Sequence, residues 1–541
     1  MPRQTSHGIV PCRGLALFAL VLALGGCSGT SLGAPEIREL YREPALREAR
    51  NPVVVVHGIL GARLMQRSTG KIVWGAFTKD AIDPNSPDGA RALAVALPEP
   101  GSAMMYDPAT ADVHPTGPLT ALDVGLLFGV ISVDVYASIL RALGVGGYVD
   151  PVKEDPATPV YREGHFTCFT FFYDWRRDNV ENAIAFGRFL RETRGRVQRS
   201  ARDRIAELMQ AGTAEARHEA AELEAWLQRG FRFDVVAHSM GGLLSRYYLR
   251  YGEQDLPADG VVPEVTWAGA EQIDRLILVG TPSLGALDAL ERLLDGYSLA
   301  FFLPKYSAAL LGTMPSIYQL LPRNANRVVH NEAGRPIDLD LFDVDVWERN
   351  EWGLLAPESQ EPVEWLLPEE PDAAVRHRRA RDYVADNLTR AKAFHAALDQ
   401  EPTTPCPAEL RLFAADSIET PTFAIAKPKK DGRLALRFHG KGTGSFGDQT
   451  VPRYSAIGDR HFGHPSTPWL DSPIPWDSVT FLPDDHVGLT KNPLFTNNLL
   501  FYLLRQEPLR QPPGPSPPSL ETTPPATGPQ PTSRPSGAGT P

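Results

Sequence analysis

The chain has 541 residues, of which 43% are hydrophobic and 22% are charged, as is typical of a globular protein with a large core. Its formal net charge is −11, from 54 Lys and Arg against 65 Asp and Glu, and no block of basic residues stands out. This balance argues against nucleic acid as a partner, but it does not indicate a substrate.

The first 27 residues have the features of an export signal. Arg3 and Arg13 accompany an apolar run, residues 14–24, that is too short to span a bilayer permanently. The run ends in Leu24-Gly-Gly-Cys27, which resembles a bacterial lipobox. We therefore expect Cys27 to be the lipidated first residue of the mature protein; the alternative is an ordinary cleaved signal with an incidental cysteine.

The residues after Cys27 suggest a location. By resemblance to the sorting rules of such lipoproteins, Ser28 favours the outer membrane, with the protein on its periplasmic or cell-surface side. Residues 28–50 then form a polar linker. No later stretch is long and apolar enough for a transmembrane helix, so acyl chains on Cys27 would provide the membrane attachment.

The folded part begins with a predicted strand and a glycine-rich loop. Four valines, Val53 to Val56, predict a strand buried on both faces, as in a parallel sheet, and His57-Gly-Ile-Leu-Gly61 forms the loop after it. A second buried strand is predicted over residues 166–173, and it runs into Tyr173-Asp-Trp-Arg176. A helical stretch is predicted after Arg176, and the polar run within it, from about residue 198 to 228, predicts a helical pair on the surface.

The chain is organised around a motif at residues 233–250. A β-rich run breaks at His238-Ser-Met-Gly-Gly242, and helix-forming residues follow. A strand, a sharp turn with small residues two before and two after a serine, and then a helix is the layout of a nucleophile elbow. Ala237 stands where the usual pattern has Gly, and its small size makes this a variant of the motif. Taken alone, the motif also fits a turn with an incidental serine.

If Ser239 is the nucleophile, two backbone N–H groups should face the oxyanion that forms there. The helix after the elbow aims its N-terminal N–H groups at the reaction centre, which favours the N–H of Met240. The glycine-rich loop after an early strand favours the N–H of Ile59 as its partner. His57 is interpreted as a residue that orients this loop, because the base should lie C-terminal to the nucleophile.

The segment after the elbow predicts another strand and then a cap. Residues 273–279 read as a parallel strand that opens into Gly280-Thr-Pro-Ser-Leu-Gly-Ala286. Leu299 to Pro304 form an apolar patch, and residues 314–322 are also largely apolar. Apolar insertions between core strands suggest a lid over an acyl site, whereas helices that merely pack on the sheet are the alternative.

An acid and a histidine should complete the site, in the order Ser, Asp, His. Asp448 lies in Gly447-Asp-Gln-Thr-Val-Pro452 after late predicted strands, and His486 follows the last predicted strand, residues 478–482. We predict that His486 takes the proton from Ser239 and that Asp448 orients the imidazole. His439, His461 and His464 are rival bases, and Asp484 and Asp485 are interpreted as a solvated turn.

Six motifs occur in one order: Val56-His-Gly-Ile-Leu-Gly61, Tyr173-Asp-Trp-Arg176, Ala237-His-Ser-Met-Gly-Gly242, Gly280-Thr-Pro-Ser-Leu-Gly285, Gly447-Asp-Gln-Thr-Val-Pro452 and Asp485-His486. Together they resemble the lecithin:cholesterol acyltransferase family, over roughly residues 50 to 505. The resemblance implies an α/β-hydrolase core with a cap and a membrane-binding subdomain. It also implies attack by serine on a lipid ester and transfer of the acyl group to an alcohol or water.

The chain also departs from that family. No cysteine pair supports the family's small disulfide-closed loop near the N-terminal region, and the residues around Trp74 do not match those of its lid tryptophan. Of the remaining cysteines, Cys168 and Cys406 are either paired with each other or separate, and a buried thiol at Cys168 is equally compatible with its apolar surroundings.

The predicted fold is therefore α/β: an α/β-hydrolase with a mainly parallel central sheet, flanking helices and an inserted helical cap. We predict a catalytic domain at residues 51–505, with cap insertions at about 65–150 and 286–400. Residues 506–541 are rich in Pro, Ser, Thr and Gly and should be disordered. No metal site or other cofactor is expected.

The function that follows is a serine-dependent lipid acyl hydrolase or O-acyltransferase acting on a phospholipid or related lipid ester. One alternative is an esterase or lipase that uses only water on small or neutral esters. Another is a catalytically silent lipoprotein that binds lipid or a partner. Whether water or an alcohol accepts the acyl group depends on how dry the pocket is and on acceptor binding, which the sequence does not give.

Overall fold

The computed structural model describes residues 40–76, 81–97, 111–119, 121–123, 130–132, 135–150, 164–257, 260–298, 303–323, 327–439, 444–460 and 472–505. The predicted signal with Cys27, much of the predicted linker and the Pro-rich tail lie outside these residues.

In chain order, the strands of the described residues are β1 Val53–Val56, β2 Ala62–Gln66, β3 Ile72–Trp74, β4 Val113–Pro118, β5 Ala121–Asp123, β6 Val130–Ser132, β7 Cys168–Phe171, β8 Phe233–His238, β9 Ile273–Val279, β10 Val329–Asn331, β11 Glu409–Ala415, β12 Ile418–Pro421, β13 Ala424–Pro428, β14 Leu434–Arg437, β15 Gly444–Gly447 and β16 Ser478–Leu482. The α-helices of the same residues are α1 Pro87–Leu93, α2 Val135–Val145, α3 Asn179–Ala211, α4 Ala214–Arg229, α5 Met240–Tyr251, α6 Leu287–Asp295, α7 Ala308–Leu311, α8 Pro315–Tyr318, α9 Val344–Asn350, α10 Gln360–Leu366, α11 Ala373–Asp399, α12 Arg453–Ile457 and α13 Pro493–Leu504.

A central sheet of six strands, in the spatial order β7-β1-β8-β9-β11-β16, organises the molecule. Every neighbouring pair in it is parallel. The chain moves from β1 outward to β7 and then returns to the other side of β1 for β8. Such a reversal of strand order opens a crevice at the carboxyl ends of the strands, which is where ligands bind in open parallel sheets.

Both faces of the central sheet are buried, as the valine run predicted. Val53 and Val55 pack with α2 and α13 on one face, while Val54 and Val56 pack with α3 and α5 on the other. All four valines are fully buried. The side chains alternate because successive residues of a strand point to opposite faces, and two helical layers therefore cover the sheet.

Among the described residues, four smaller sheets are separate from the central one. β2 pairs with β3 and β4, β13 pairs with β10 and β14, β12 pairs with β15, and β5 pairs with β6. Among the described residues, no helix is long and apolar enough to cross a bilayer.

The helical stretch predicted after Arg176 is present, and the polar run within it spans the end of α3 and most of α4. α3 begins after Asp178, whose carboxylate accepts hydrogen bonds from the N–H groups of Val180 and Glu181, and it ends at Gly212 with φ 66°. This side chain satisfies backbone donors that the helix leaves unpaired, so the helix forms from residue 179. The strand predicted over residues 166–173 is shorter, at Cys168–Phe171.

Cys168 and Cys406 are both buried thiols, not a disulfide. Burial raises the pKa of the Cys168 thiol well above its ordinary value. The thiol of Cys406 donates to the carbonyl oxygen of Ala408 at 3.2 Å.

Candidate active site

The turn between β8 and α5 holds Ser239 in a strained conformation. Its φ of 54° and ψ of −128° are rare for a residue with a side chain, and α5 begins at the next residue. A Cβ on Gly241 would lie 2.3 Å from the carbonyl oxygen of His57, so only glycine fits at this position. Ala237 lies within β8, fully buried. The geometry is that of a nucleophile elbow.

The structure brings Ser239, His486 and Asp448 together from three distant parts of the chain. His486 Nε2 lies 3.0 Å from Ser239 Oγ, and His486 Nδ1 lies 2.7 Å from Asp448 Oδ2. Asp448 is held in turn by the N–H groups of Thr450 and Val451, at 3.0 and 2.6 Å from its Oδ1. A carboxylate fixed in this way can hold the imidazole with its Nδ1–H toward Asp448 and its Nε2 lone pair toward Ser239.

Two effects act on the imidazole of His486 in opposite directions. Burial alone would lower the pKa of His486, but the carboxylate of Asp448, with smaller contributions from Asp288 and Asp485, raises this pKa above its ordinary value. A base with a raised pKa is well suited to take the serine proton and to return it to a leaving group.

Of the rival bases, His439 lies on the surface 3.0 Å from Glu291 Oε1 and does not line the pocket at Ser239. His461 and His464 lie outside the described residues. Asp485 accepts hydrogen bonds from the N–H groups of Val487 and Gly488, which is the arrangement of a turn.

The loop after β1 is fixed by aromatic side chains. The Gly58 N–H donates to the Tyr136 hydroxyl at 2.9 Å, and the Tyr173 hydroxyl donates to the carbonyl of His57 at 2.7 Å. The His57 ring stacks on Tyr173 with centroids 4.1 Å apart, and its Nε2 accepts from the Tyr173 N–H at 3.2 Å. Burial lowers the pKa of His57 to about 4, so this ring is a neutral support for the loop.

Ile59 lines the same pocket as Ser239, and Met240 is the first residue of α5 directly after it. The neighbouring Gly58 N–H already binds Tyr136, so Ile59 has the next N–H along the loop. Cys27, the predicted lipid attachment, lies outside the described residues. Among the described residues, no cluster of three or more His, Cys, Asp or Glu could hold a metal ion.

A pocket of about 290 Å³ opens at Ser239 and His486. Its apolar walls come from β3, α6, α7, α8 and the loops after β1 and β7, and they include Ile59, Leu60, Trp74, Leu119, Trp175, Ala286, Ala289, Leu311, Ile317, Leu320, Val451 and Val487. The predicted apolar segment 314–322 thus supplies part of the wall. Most of the patch predicted from Leu299 to Pro304 lies outside the described residues.

The Tyr173-Asp-Trp-Arg176 motif builds one wall of this pocket. The Trp175 indole N–H donates to the carbonyl of Ala62 at 3.1 Å, and its ring packs edge-on against Trp74 at 5.6 Å. Behind it, the buried Arg176 guanidinium donates twice to Asp174, at 2.9 and 2.7 Å, and once to the carbonyl of Leu93 at 2.8 Å. The charged pair is therefore structural, and the tryptophan is the part that faces the pocket.

Sequence reasoning missed three residues of the site. Asp288 and Arg292 line the pocket as a bidentate ion pair one helical turn apart, with distances of 2.8 and 3.2 Å. His238 places its Nε2 3.1 Å from the carbonyl oxygen of His486, and burial lowers the pKa of His238 to about 3. The i,i+4 spacing of the first pair was visible, but only tertiary structure turns it toward Ser239.

The model of the lecithin:cholesterol acyltransferase family matches residues 222–399, which include the elbow. The predicted resemblance is confirmed. The matched segment runs from within α4 to the end of α11, so Asp448 and His486 lie beyond it. The parallel central sheet and the elbow after β8 agree with the α/β-hydrolase fold that this similarity implies.

Two solved structures align with most of the chain at low sequence identity. A chain of the Tle4–Tli4 complex is 15% identical, with 84% of this chain and 98% of that chain covered and a TM-score of 0.46. The mature lipase BlEst2 of Bacillus licheniformis is 11% identical, with 84% and 93% covered and a TM-score of 0.26. No curated protein matches the sequence significantly.

Proposed function

We propose that the protein is a serine-dependent lipid acyl hydrolase or O-acyltransferase that cleaves an ester of a phospholipid or a related lipid. The observation that carries this proposal is the hydrogen-bonded series from Ser239 through His486 to Asp448 beside an apolar pocket. An apolar wall with few polar groups suits an acyl chain, and the family similarity points to the same class of substrate.

In this mechanism His486 Nε2 takes the proton of the Ser239 hydroxyl as Oγ bonds to the ester carbonyl carbon. The carbonyl electron pair moves to its oxygen, and the N–H groups of Ile59 and Met240 stabilise the resulting oxyanion. When the tetrahedral intermediate collapses, the alcohol leaves with the proton from His486 and an acyl-serine remains. Water or a second alcohol then attacks the acyl-serine by the same steps, with His486 again as base.

Strain at Ser239 contributes to this mechanism. The left-handed φ points Oγ away from β8 and toward His486, while the start of α5 turns backbone N–H groups to the same point. Loss of one oxyanion donor typically lowers kcat by about 10²–10³-fold.

The test uses the purified protein on phospholipid vesicles, with and without a long-chain alcohol, and resolves the lipid products. We expect fatty acid, with new ester when the alcohol is added, and we expect Ser239→Ala to abolish both. Ser245→Ala, a buried serine within α5, is the matched control and should retain activity. Fatty acid without new ester would restrict the function to hydrolysis.

Two other outcomes separate the alternatives. If the wild type cleaves a small soluble ester, Ser239→Ala does not, and no phospholipid product forms, the substrate is a small ester and not a lipid. Absence of all cleavage would contradict the enzyme proposal and favour a catalytically silent lipoprotein.

We also propose that the protein is exported and attached to the outer membrane through acyl chains on Cys27, on the periplasmic or cell-surface side. Leu24-Gly-Gly-Cys27 and Ser28 support this proposal. We expect Cys27→Ser to reduce the fraction of protein that sediments with membranes and to abolish incorporation of radiolabelled palmitate. Cys168→Ser is the control, and unchanged labelling of Cys27→Ser would contradict the lipid anchor.

A further inference from the structure

A large cleft lies beside the amino ends of the central strands, whereas Ser239 lies beside their carboxyl ends. Its volume is about 990 Å³, and it is lined by residues at the amino ends of β1, β8 and β9. Ser239 follows the carboxyl end of β8, which has 6 residues, so the length of the strand separates the two cavities by about 20 Å. The cleft is therefore not an extension of the catalytic pocket.

Arginine dominates the wall of this cleft. Of the residues that the structure describes, eight arginines line it together with three acidic residues, Asp234, Glu271 and Asp274. The whole chain has a net charge of −11, so this concentration of cations reverses the sign of the protein locally. We call this surface the arginine cleft.

Some of these cations are neutralised within the protein. Arg232 pairs with Asp274, and Arg275 pairs with Asp234 at 3.3 Å. Arg191 pairs with Glu253 outside the cleft. These three arginines therefore stabilise the fold through ion pairs, and we do not assign them to ligand binding.

Arg194 is different because the protein partners that the structure describes for it are neutral. Its Nη1 donates to the carbonyl of Phe231 at 2.7 Å, and its guanidinium lies over the Phe231 ring at 4.9 Å. Burial lowers the pKa of Arg194 below its ordinary value. A partly desolvated cation is costly without a counter-charge, and a bound anion would offset that cost.

Two further arginines line the same cleft. Arg229 is exposed in the last turn of α4, and Arg47 is exposed just before β1. The Trp226 ring stacks on Phe231 at 4.7 Å and gives the cleft a rigid apolar floor next to these cations. Several guanidinium groups around one cavity suit an anion with several oxygens, because each guanidinium can donate two parallel hydrogen bonds.

We propose that the arginine cleft binds a phosphate-bearing anion, at a site separate from the catalytic pocket. The phosphate belongs either to a lipid headgroup at a membrane surface or to a soluble phosphate compound, since both present the same oxygens to Arg47, Arg194 and Arg229.

The first experiment titrates the full chain with pyrophosphate by calorimetry at low salt. We expect binding, and we expect Arg194→Gln/Arg229→Gln to weaken it about tenfold or more, because each lost charge-assisted hydrogen bond removes a comparable factor. The matched control is Arg196→Gln/Arg217→Gln, which removes the same charge from exposed positions on the same two helices, outside the cleft. Arg229→Gln alone should give a smaller loss, and it keeps the test informative if the double variant unfolds.

A second arm identifies the source of the phosphate. Vesicle flotation compares binding to phosphatidylglycerol vesicles with binding to phosphatidylcholine vesicles at two salt concentrations. The N-terminal apolar run can insert into both kinds of vesicle. The readout is therefore the excess of binding to the anionic vesicles. An excess that Arg194→Gln/Arg229→Gln abolishes and the control keeps supports a lipid headgroup. Pyrophosphate binding without such an excess supports a soluble phosphate compound. If neither ligand binds, or if the control variant loses binding equally, the proposal is wrong.

Discussion

The imidazole of His486 is influenced by carboxylates from three separate segments. Burial would lower its pKa, whereas Asp448, then Asp288 and then Asp485 raise it. Asp448 also holds the ring by a hydrogen bond, while Asp288 acts through its charge from the pocket wall. Asp448 therefore sets the orientation, and Asp288 tunes the proton affinity.

We predict that Asp288→Asn lowers the pKa of His486. Because the free base is the reactive form, the acidic limb of the kcat/KM profile should move to lower pH, and activity on the acidic side should rise. The measurement is kcat/KM against pH with a soluble ester. Asp295→Asn, at the exposed end of the same helix, is the control and should leave the limb in place. A limb that does not move in Asp288→Asn would contradict the role given to this charge.

At the scale of elements, the turn after β7 joins three parts of the molecule. The Arg176 guanidinium donates two hydrogen bonds to the Asp174 carboxylate. It also donates to the carbonyl of Leu93 at the end of α1, where a cation is favourable. The same turn leads into α3, whose N-cap Asp178 also binds Arg390 of α11. One short turn thus ties the sheet to two surrounding helices and positions Trp175.

We predict that Arg176→Met lowers the free energy of unfolding by about 3–5 kcal/mol, because it leaves the Asp174 carboxylate buried without its partner. Urea unfolding measures this change. Arg176→Met/Asp174→Asn removes both charges and should recover part of the loss. If the single variant is as stable as the wild type, the pair does not hold the turn.

At the scale of the whole molecule, residues before the central sheet are joined to the α3–α4 helical pair by a cluster of titrating groups. Glu48 accepts from Arg204 Nε at 3.0 Å and lies 3.2 Å from His165 Nδ1. Burial and a hydrogen bond with Glu48 raise the pKa of Glu219 on α4 to about 7. For Glu48 the bonds to His165 and Glu219 and the charge of Arg204 outweigh burial, and its pKa is lowered.

The direction of the Glu219 pKa shift predicts how the stability of the protein depends on pH. Its ordinary pKa is 4.5 and its folded pKa is about 7, so between these values the folded state holds a proton that the unfolded state has lost. Stability from this group therefore falls as pH rises through the window. We predict that Glu219→Gln raises Tm relative to the wild type at pH 8 but not at pH 4. Glu224→Gln, exposed on the same helix, should show no such difference; equal Tm changes at both pH values would contradict the shared proton.

The sequence by itself determined the local structure around the site. Val53 to Val56 predicted a strand buried on both faces, and the small residues around Ser239 predicted the elbow, because strand burial and tight turns depend on neighbouring residues. The choice of Asp448 and His486 as partners of Ser239 also came from the sequence, because they occur in the order expected for this fold. The sequence also predicted a helical stretch after Arg176, and α3 begins at Asn179.

Only the tertiary structure decided which distant residues are in contact. His486 and Ser239 are 247 positions apart, and their 3.0 Å contact depends on how β8 and the loop after β16 are placed in one sheet. The support of Gly58 by Tyr136 and the arginine cleft likewise have no local signature, and the i,i+4 spacing of Asp288 and Arg292 does not show that the pair faces Ser239. The physical reason is that local patterns fix backbone conformation, whereas packing between distant segments sets distances, burial and pKa values.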